Sequence, residues 1–167
     1  MHKVSVVLSL ALMTVLPVAA QSDVKDTIVK HLRTSRDFTV KVAEAMPAAD
    51  YGFKLTPAQM SFAEQLVHLS EALTYFVSPI LGQKPDPPKA KSMNKDDVIA
   101  FVKDCYDHAI ETVSALTPAQ ISKTYKGHEE RTGTDLLLGM LDHTTHHRAS
   151  AEMYLRAKGI TPPEYEF

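Results

Sequence analysis

Between Phe62 and Ile80 the apolar residues Phe62, Leu66, Leu69, Leu73, Phe76 and Ile80 recur at alternating intervals of four and three. An α-helix turns once in 3.6 residues, so these six side chains fall on one stripe of one helix. A strand would instead need an alternation of period two, and no stretch of the sequence sustains one between Asn-Gly or Asp-Gly turns. A stripe of this kind must be buried against other elements. A chain of 167 residues is long enough to supply them within a single domain.

Three more segments carry the same periodicity. One is expected from Ser22 to Met46, capped by Ser22 or Asp23 and followed by Pro47, with Val24, Ile28, Leu32, Phe38, Val42 and Ala45 as its apolar side. The segment of the Phe62 stripe is expected to start near Thr56-Pro57, a cap followed by proline at the first helical position. Ser61 and Glu64 offer a second start inside it through a capping-box pattern. Gly82 and the proline-rich residues 84–92 end it. A further helix is expected from Asn94 to Leu116, with Val98, Phe101, Val102, Cys105, Ala109, Ile110, Val113 and Leu116 turned inward and Lys95, Lys103 and Glu111 in solvent. The last runs from Thr134, as its cap, to Lys158, and Gly159 with Pro162-Pro163 stops it. Residues 117–133 read as a long polar connection. Four amphipathic helices without a sheet predict an all-α fold, a four-helix bundle. The long connections at 82–93 and 117–133 mean that its topology need not be up-down-up-down.

Residues 1–20 read differently. Lys3 gives a short basic end, Val4 to Leu16 an apolar run, and Val18 and Ala20 the small residues before a cut at Gln21. This is the layout of a cleavable signal peptide, and the run is shorter than the roughly 20 residues of a membrane span. The expected organisation is therefore a signal peptide at 1–20 and a bundle domain at 21–167. The domain would be periplasmic or secreted, with no stable membrane insertion after cleavage. The whole sequence has a formal charge of −2. Loss of Lys3 makes the exported part slightly more acidic, so no basic face speaks for nucleic acid. Cys105 is the single cysteine, which excludes an internal disulfide and reads as a buried, inert thiol.

The stretch from Leu141 to Ser150 places His143, His146 and His147 within five positions. Residues four apart share a helix face. Leu136, Met140, His143, His147, Ser150 and Tyr154 form a stripe like that of the Phe62 segment, so His143 and His147 are expected to point inward and His146 away. Imidazoles in a core need partners, and a pair at i, i+4 is one way to hold a divalent metal from a single helix. His68, beside the apolar stripe of another helix, is the natural third member. On the pattern alone two readings stand, a metal site or hydrogen-bonded core histidines. His31, His108 and His128 read as surface or capping residues. Glu64, Gln65, Glu71, Tyr75 and Asp142 are the neighbours available to orient ligands or move protons, and none has a spacing that marks it as a catalytic base.

Two stretches carry a family resemblance. "LTPAQMSFAEQLVHLSEA" and "LLLGMLDHTTHHRASAEMYLRAKGITPPEY" resemble the second and fourth helices of DinB-like, or YfiT-like, proteins, a metal-dependent group unrelated to the DNA polymerase of similar name. The resemblance spans residues 22–167. It implies a four-helix bundle in which His68, His143 and His147 hold a divalent metal, zinc or nickel first, with iron or manganese also suited to imidazole. Where the family often has Arg-Gly-Gln after the last ligand, this chain has Arg148-Ala149-Ser150, so no particular substrate carries over. The family's best-known chemistry activates low-molecular-weight cytosolic thiols. For an exported member the resemblance implies an enzyme of the transferase or hydrolase type acting on a small molecule. The alternative is a non-catalytic metal- or ligand-binding bundle in the periplasm. The family's habit of pairing implies a homodimer.

Overall fold

The structure, a computed structural model, describes residues 16–127 and 129–166. Four long helices are present: α1 (Leu16–Ala45), α2 (Phe62–Val77), α3 (Lys95–Ala115) and α5 (Gly133–Ala157), with a five-residue helix α4 (Pro118–Ser122) before the last. The principal contacts are α2 with α5, α1 with α3, α2 with α3, and α1 with α5. Around the bundle the order is therefore α1, α3, α2, α5, and the consecutive helices α1 and α2 lie across a diagonal. The open topology expected from the long connections is resolved in this way.

The helix limits follow local chemistry. Ser61 caps α2: its hydroxyl accepts from the Glu64 amide and the Glu64 carboxylate accepts from the Ser61 amide, an arrangement typically worth about 1 kcal/mol. The expected start at Thr56-Pro57 is not used, and residues 56–59 form a turn closed by the Gln59 amide on the Thr56 carbonyl. Asn94 precedes α3 as expected. Lys95 is not merely solvated; its ammonium donates to the Glu44 and Met46 carbonyls and so caps the end of α1. The cap of α5 is Thr132, reciprocated by Asp135, rather than Thr134. Gly159 stops the chain's last helix with φ +75°, the left-handed conformation that glycine adopts without strain.

Two further expectations are corrected. The region 117–133 is partly regular: Thr117 and Gln120 form a reciprocal cap on α4, and β1 (Thr124–Tyr125) pairs antiparallel with β2 (Arg131–Thr132). Gly133 closes this corner, because a Cβ there would lie 2.5 Å from the Gln120 carbonyl oxygen. In addition, α1 starts at Leu16, so neither Ser22 nor Asp23 is at a helix start. Most of the expected signal peptide, residues 1–15, lies outside the described residues. No helix among the described residues is long and apolar enough to cross a membrane.

The core joins Leu32, Phe38 and Val42 of α1, Leu66, Leu69 and Leu73 of α2, Val98, Val102, Tyr106 and Val113 of α3, and Leu137, Met140, Tyr154 and Leu155 of α5. Every residue expected on the inner side of α3 is buried. Cys105 is among them, and burial, with smaller contributions from Asp104 and Glu71, pushes its thiol up to about 12. It is unreactive at neutral pH.

Candidate metal centre

α2 and α5 pack side by side, and their contact brings His68 from the middle of α2 against His143 and His147, which lie one turn apart on α5. One ring nitrogen from each can be chosen so that all three lie within 4.8 Å of one another. The ring centroids are 4.5 Å apart for His68–His147 and for His143–His147, and 5.2 Å apart for His68–His143. The three rings are half-buried. The trio selected by the sequence is thus one cluster, built from two helices.

The register on α5 differs in detail from the sequence reading. The fully buried stripe is Leu137, Met140, Thr144, Arg148, Ala151 and Leu155, so the helix is rotated to put His143 and His147 at the edge of the core. That rotation explains why imidazoles are tolerated here: each ring is half-buried rather than enclosed in the core. Phe76 supplies part of the apolar wall, its ring 5.8 Å from that of His143. His146 is exposed and stands edge-on to His147 at 4.9 Å, outside the trio.

The nitrogens are not equivalent. His147 Nδ1 lies 2.6 Å from Gln65 Oε1. An amide oxygen only accepts, so Nδ1 carries the proton and donates, and the lone pair is left on Nε2. Gln65 is buried one turn before His68 on the same helix, so it braces a histidine of α5 from beside the histidine of α2. His143 Nδ1 is buried and has no hydrogen-bond partner among the described residues. Such an atom typically costs about 1–3 kcal/mol if it stays unsatisfied.

Burial also sets the charge. Desolvation, followed by the neighbouring His68 and His146, lowers the pKa of His143. Desolvation, followed by His143, His68 and His146, brings His147 down to about 4. Both rings are neutral at pH 7, the form that offers a lone pair.

Of the five neighbours named from the sequence, only Gln65 touches a histidine. The Glu64 carboxylate is held by Ser61 and Lys54, and that of Glu71 by Lys89. Tyr75 and Asp142 are exposed. No carboxylate joins the three imidazoles among the described residues. His31 is half-buried and His108 exposed, both away from the cluster. His128 lies outside the described residues. Sequence reasoning missed Arg148, which is buried beside the cluster on the α1 side of α5. The signal was its place on the Thr144–Arg148–Ala151 stripe.

Comparison with known proteins gives the family and the fold. Residues 31–151, which include all three histidines, match the family model described as the DinB superfamily. A DinB-like protein from Bacillus subtilis is 23% identical with a TM-score of 0.69, over 84% of this chain and 96% of that one. A DinB-like protein from Bacillus cereus ATCC 10987 is 13% identical with a TM-score of 0.74, over 84% and 97%. At these identities the likeness establishes the fold. No curated protein matches the sequence.

Proposed function

The chain belongs to the DinB superfamily, and from that premise we propose that it binds one divalent metal ion through His68, His143 and His147. The observation that carries the reading is the convergence of three imidazoles from two helices within 4.8 Å, with Gln65 fixing the proton of one of them. The residues fit such an ion. Two of the rings are held neutral, and a buried His143 nitrogen has no hydrogen-bond partner among the described residues. An all-imidazole donor set suits zinc or nickel, and also iron or manganese. Three protein ligands leave at least one coordination position open, and an ion held this way polarises whatever small molecule binds there.

In this reading His68, His143 and His147 hold the ion, and Gln65 orients His147 and keeps its lone pair on Nε2. Phe76 excludes water from one side of the cluster, and exposed His146 is the nearest group able to carry a proton at its edge. The reaction class is transferase or hydrolase on a small molecule, in a protein exported by cleavage after Ala20. A non-catalytic metal- or ligand-binding role is favoured by one observation, the absence of a carboxylate against the trio among the described residues.

The test is elemental analysis of the protein purified without chelator or histidine tag. About one divalent ion per chain is expected, lost in His143→Ala and His147→Ala and retained in His146→Ala. No bound metal after incubation with zinc and nickel would sink the proposal. Intact-mass measurement of exported material checks the amino terminus, which should be Gln21, and ultracentrifugation of the same sample checks the homodimer.

A further inference from the structure

Arg148 is 4% exposed, so its cationic guanidinium sits in the interior. Nη1 donates to Ser35 Oγ at 2.7 Å and Nη2 to Thr145 Oγ1 at 3.3 Å. Its Cζ lies 4.9 Å from the centre of the Phe38 ring. All of these neighbours are neutral. No carboxylate oxygen among the described residues comes within 4 Å of it, the distance that defines the ion pairs elsewhere in the molecule. A buried cation without a counter-charge is strongly unfavourable, and proteins ordinarily pair it.

Beside the guanidinium is a small cavity of about 70 Å³, between α1, α5 and the tail that follows α5. Arg148 and Ser35, both buried, line it with His31 and exposed Thr145, and Tyr165 and Glu166 line the side formed by the tail. The Phe38 and Tyr165 rings meet edge-on at 5.7 Å. Glu166 is ion-paired with Lys41. Among the described residues, therefore, the charge of Glu166 is matched, whereas that of Arg148 is not.

We propose that this cavity is a binding site for one small carboxylate, taken by the Arg148 guanidinium with the Ser35 and Thr145 hydroxyls beside it. Three features select the class. A planar fork of N–H donors matches the two oxygens of a carboxylate. The space suits an acetate-sized group and is far below the roughly 300 Å³ of a site for larger ligands. One unmatched positive charge is balanced by a monoanion, while a phosphate carrying about −1.5 to −2 would leave an excess. The site is separate from the histidine cluster, which lies between α5 and α2.

The experiment is titration of the full chain, as purified, with sodium acetate at constant ionic strength in sodium chloride. The Arg148 side-chain N–H and the amides of Ser35 and Thr145 are followed by ¹⁵N–¹H NMR. Saturable shifts at these positions are expected, with about one acetate per chain. Affinity should fall at least about tenfold in Arg148→Lys, which keeps the charge and loses the fork. It should rise about two- to threefold in Glu166→Gln, which removes a like charge from the wall. Inorganic phosphate should bind at least about tenfold more weakly than acetate. A response that does not saturate, or one confined to residues around His68, His143 and His147, overturns the site. Phosphate binding as tight as acetate overturns the carboxylate class. If Arg148→Lys does not fold, the shift map and the phosphate comparison on the unaltered chain decide the question.

Discussion

His147 and Arg148 are neighbours on one helix, and they meet opposite chemistry. The α1 side of α5 is wired: Arg148 reaches Ser35, Ser35 and Thr39 reach the Tyr106 hydroxyl, and Phe38 lies under the guanidinium. The α2 side is sparsely wired: among the described residues the three imidazoles share one side-chain hydrogen bond, from His147 to Gln65, and a buried His143 nitrogen has none. The first arrangement ties α1, α3 and α5 together. The second leaves lone pairs held in place by the surrounding core and committed to nothing in the chain. Adjacent positions on one helix thus differ in how they are held, Arg148 cross-linking α5 to α1 and His147 bound to α2 through Gln65 alone.

Substitutions on the two sides should give opposite phenotypes. The largest effect is expected for His143→Ala or His147→Ala. Each should weaken metal binding by about a hundredfold or more, since each removes one ligand from a site whose total is many kcal/mol. Metal-free stability should stay within about 1 kcal/mol. Isothermal titration and urea melts separate the two quantities, and unchanged affinity would remove His143 or His147 from the site.

Arg148→Ala should do the reverse, costing about 2–3 kcal/mol in urea melts through lost packing on Phe38 and lost hydrogen bonds. A loss below about 0.5 kcal/mol would show that the wired side is not structural. Gln65→Ala comes next. It should lower metal affinity by about 10- to 100-fold, the usual consequence of losing a group that orients a ligand. An unchanged affinity would mean that His147 needs no brace.

The pH dependence of the metal-free protein is smaller. His143 and His147 hold protons less readily when folded than when unfolded, where a histidine titrates near ~6.5. Between that value and about 4 the unfolded chain binds more protons, so stability rises with pH. The contribution is fully present above pH ~6.5 and is lost as pH falls toward about 4. Because both rings are only half-buried, the expected size is on the order of 1 kcal/mol. Urea melts at pH 7, 6 and 5 measure it, and His147→Gln should flatten the trend. His146→Ala sets the floor, with metal affinity unchanged within about twofold; a large loss would redraw the cluster around His146.

Much of this was legible in the sequence because periodicity and caps act locally. The α2 stripe, the Ser61–Glu64 cap, the inner side of α3 and the Gly159 stop all depend on residues a few positions apart. So does the pairing of His143 with His147. What the sequence concealed depends on distant contacts. The pentapeptide Leu-Thr-Pro-Ala-Gln occurs at 55–59 and again at 116–120. The first copy is a turn and the second begins helix α4. Leu55 is 39% exposed and Leu116 is 3% exposed. The second copy is also followed by Ile121, fully buried, whereas the first is followed by exposed Met60. Packing against α1 and α5, not the cap residues, makes the helix. The rotation of α5 was hidden for a similar reason. Periodicity gives a stripe, but two neighbouring stripes can both look apolar, and only the neighbouring helices settle which one is central.

The ring order of the helices has a consequence for how the molecule is made. α1 finds its partners in α3 and α5, and α2 finds its own in the same two. A chain that holds only α1 and α2 therefore has two uncovered apolar stripes with no principal contact between them. α3 offers each of them one surface, and α5 closes the ring. That last helix also carries His143, His147 and Arg148. The chain's last helix thus delivers the final packing surface and most of the donor atoms together, and under the proposed function metal loading would wait for completion of the fold.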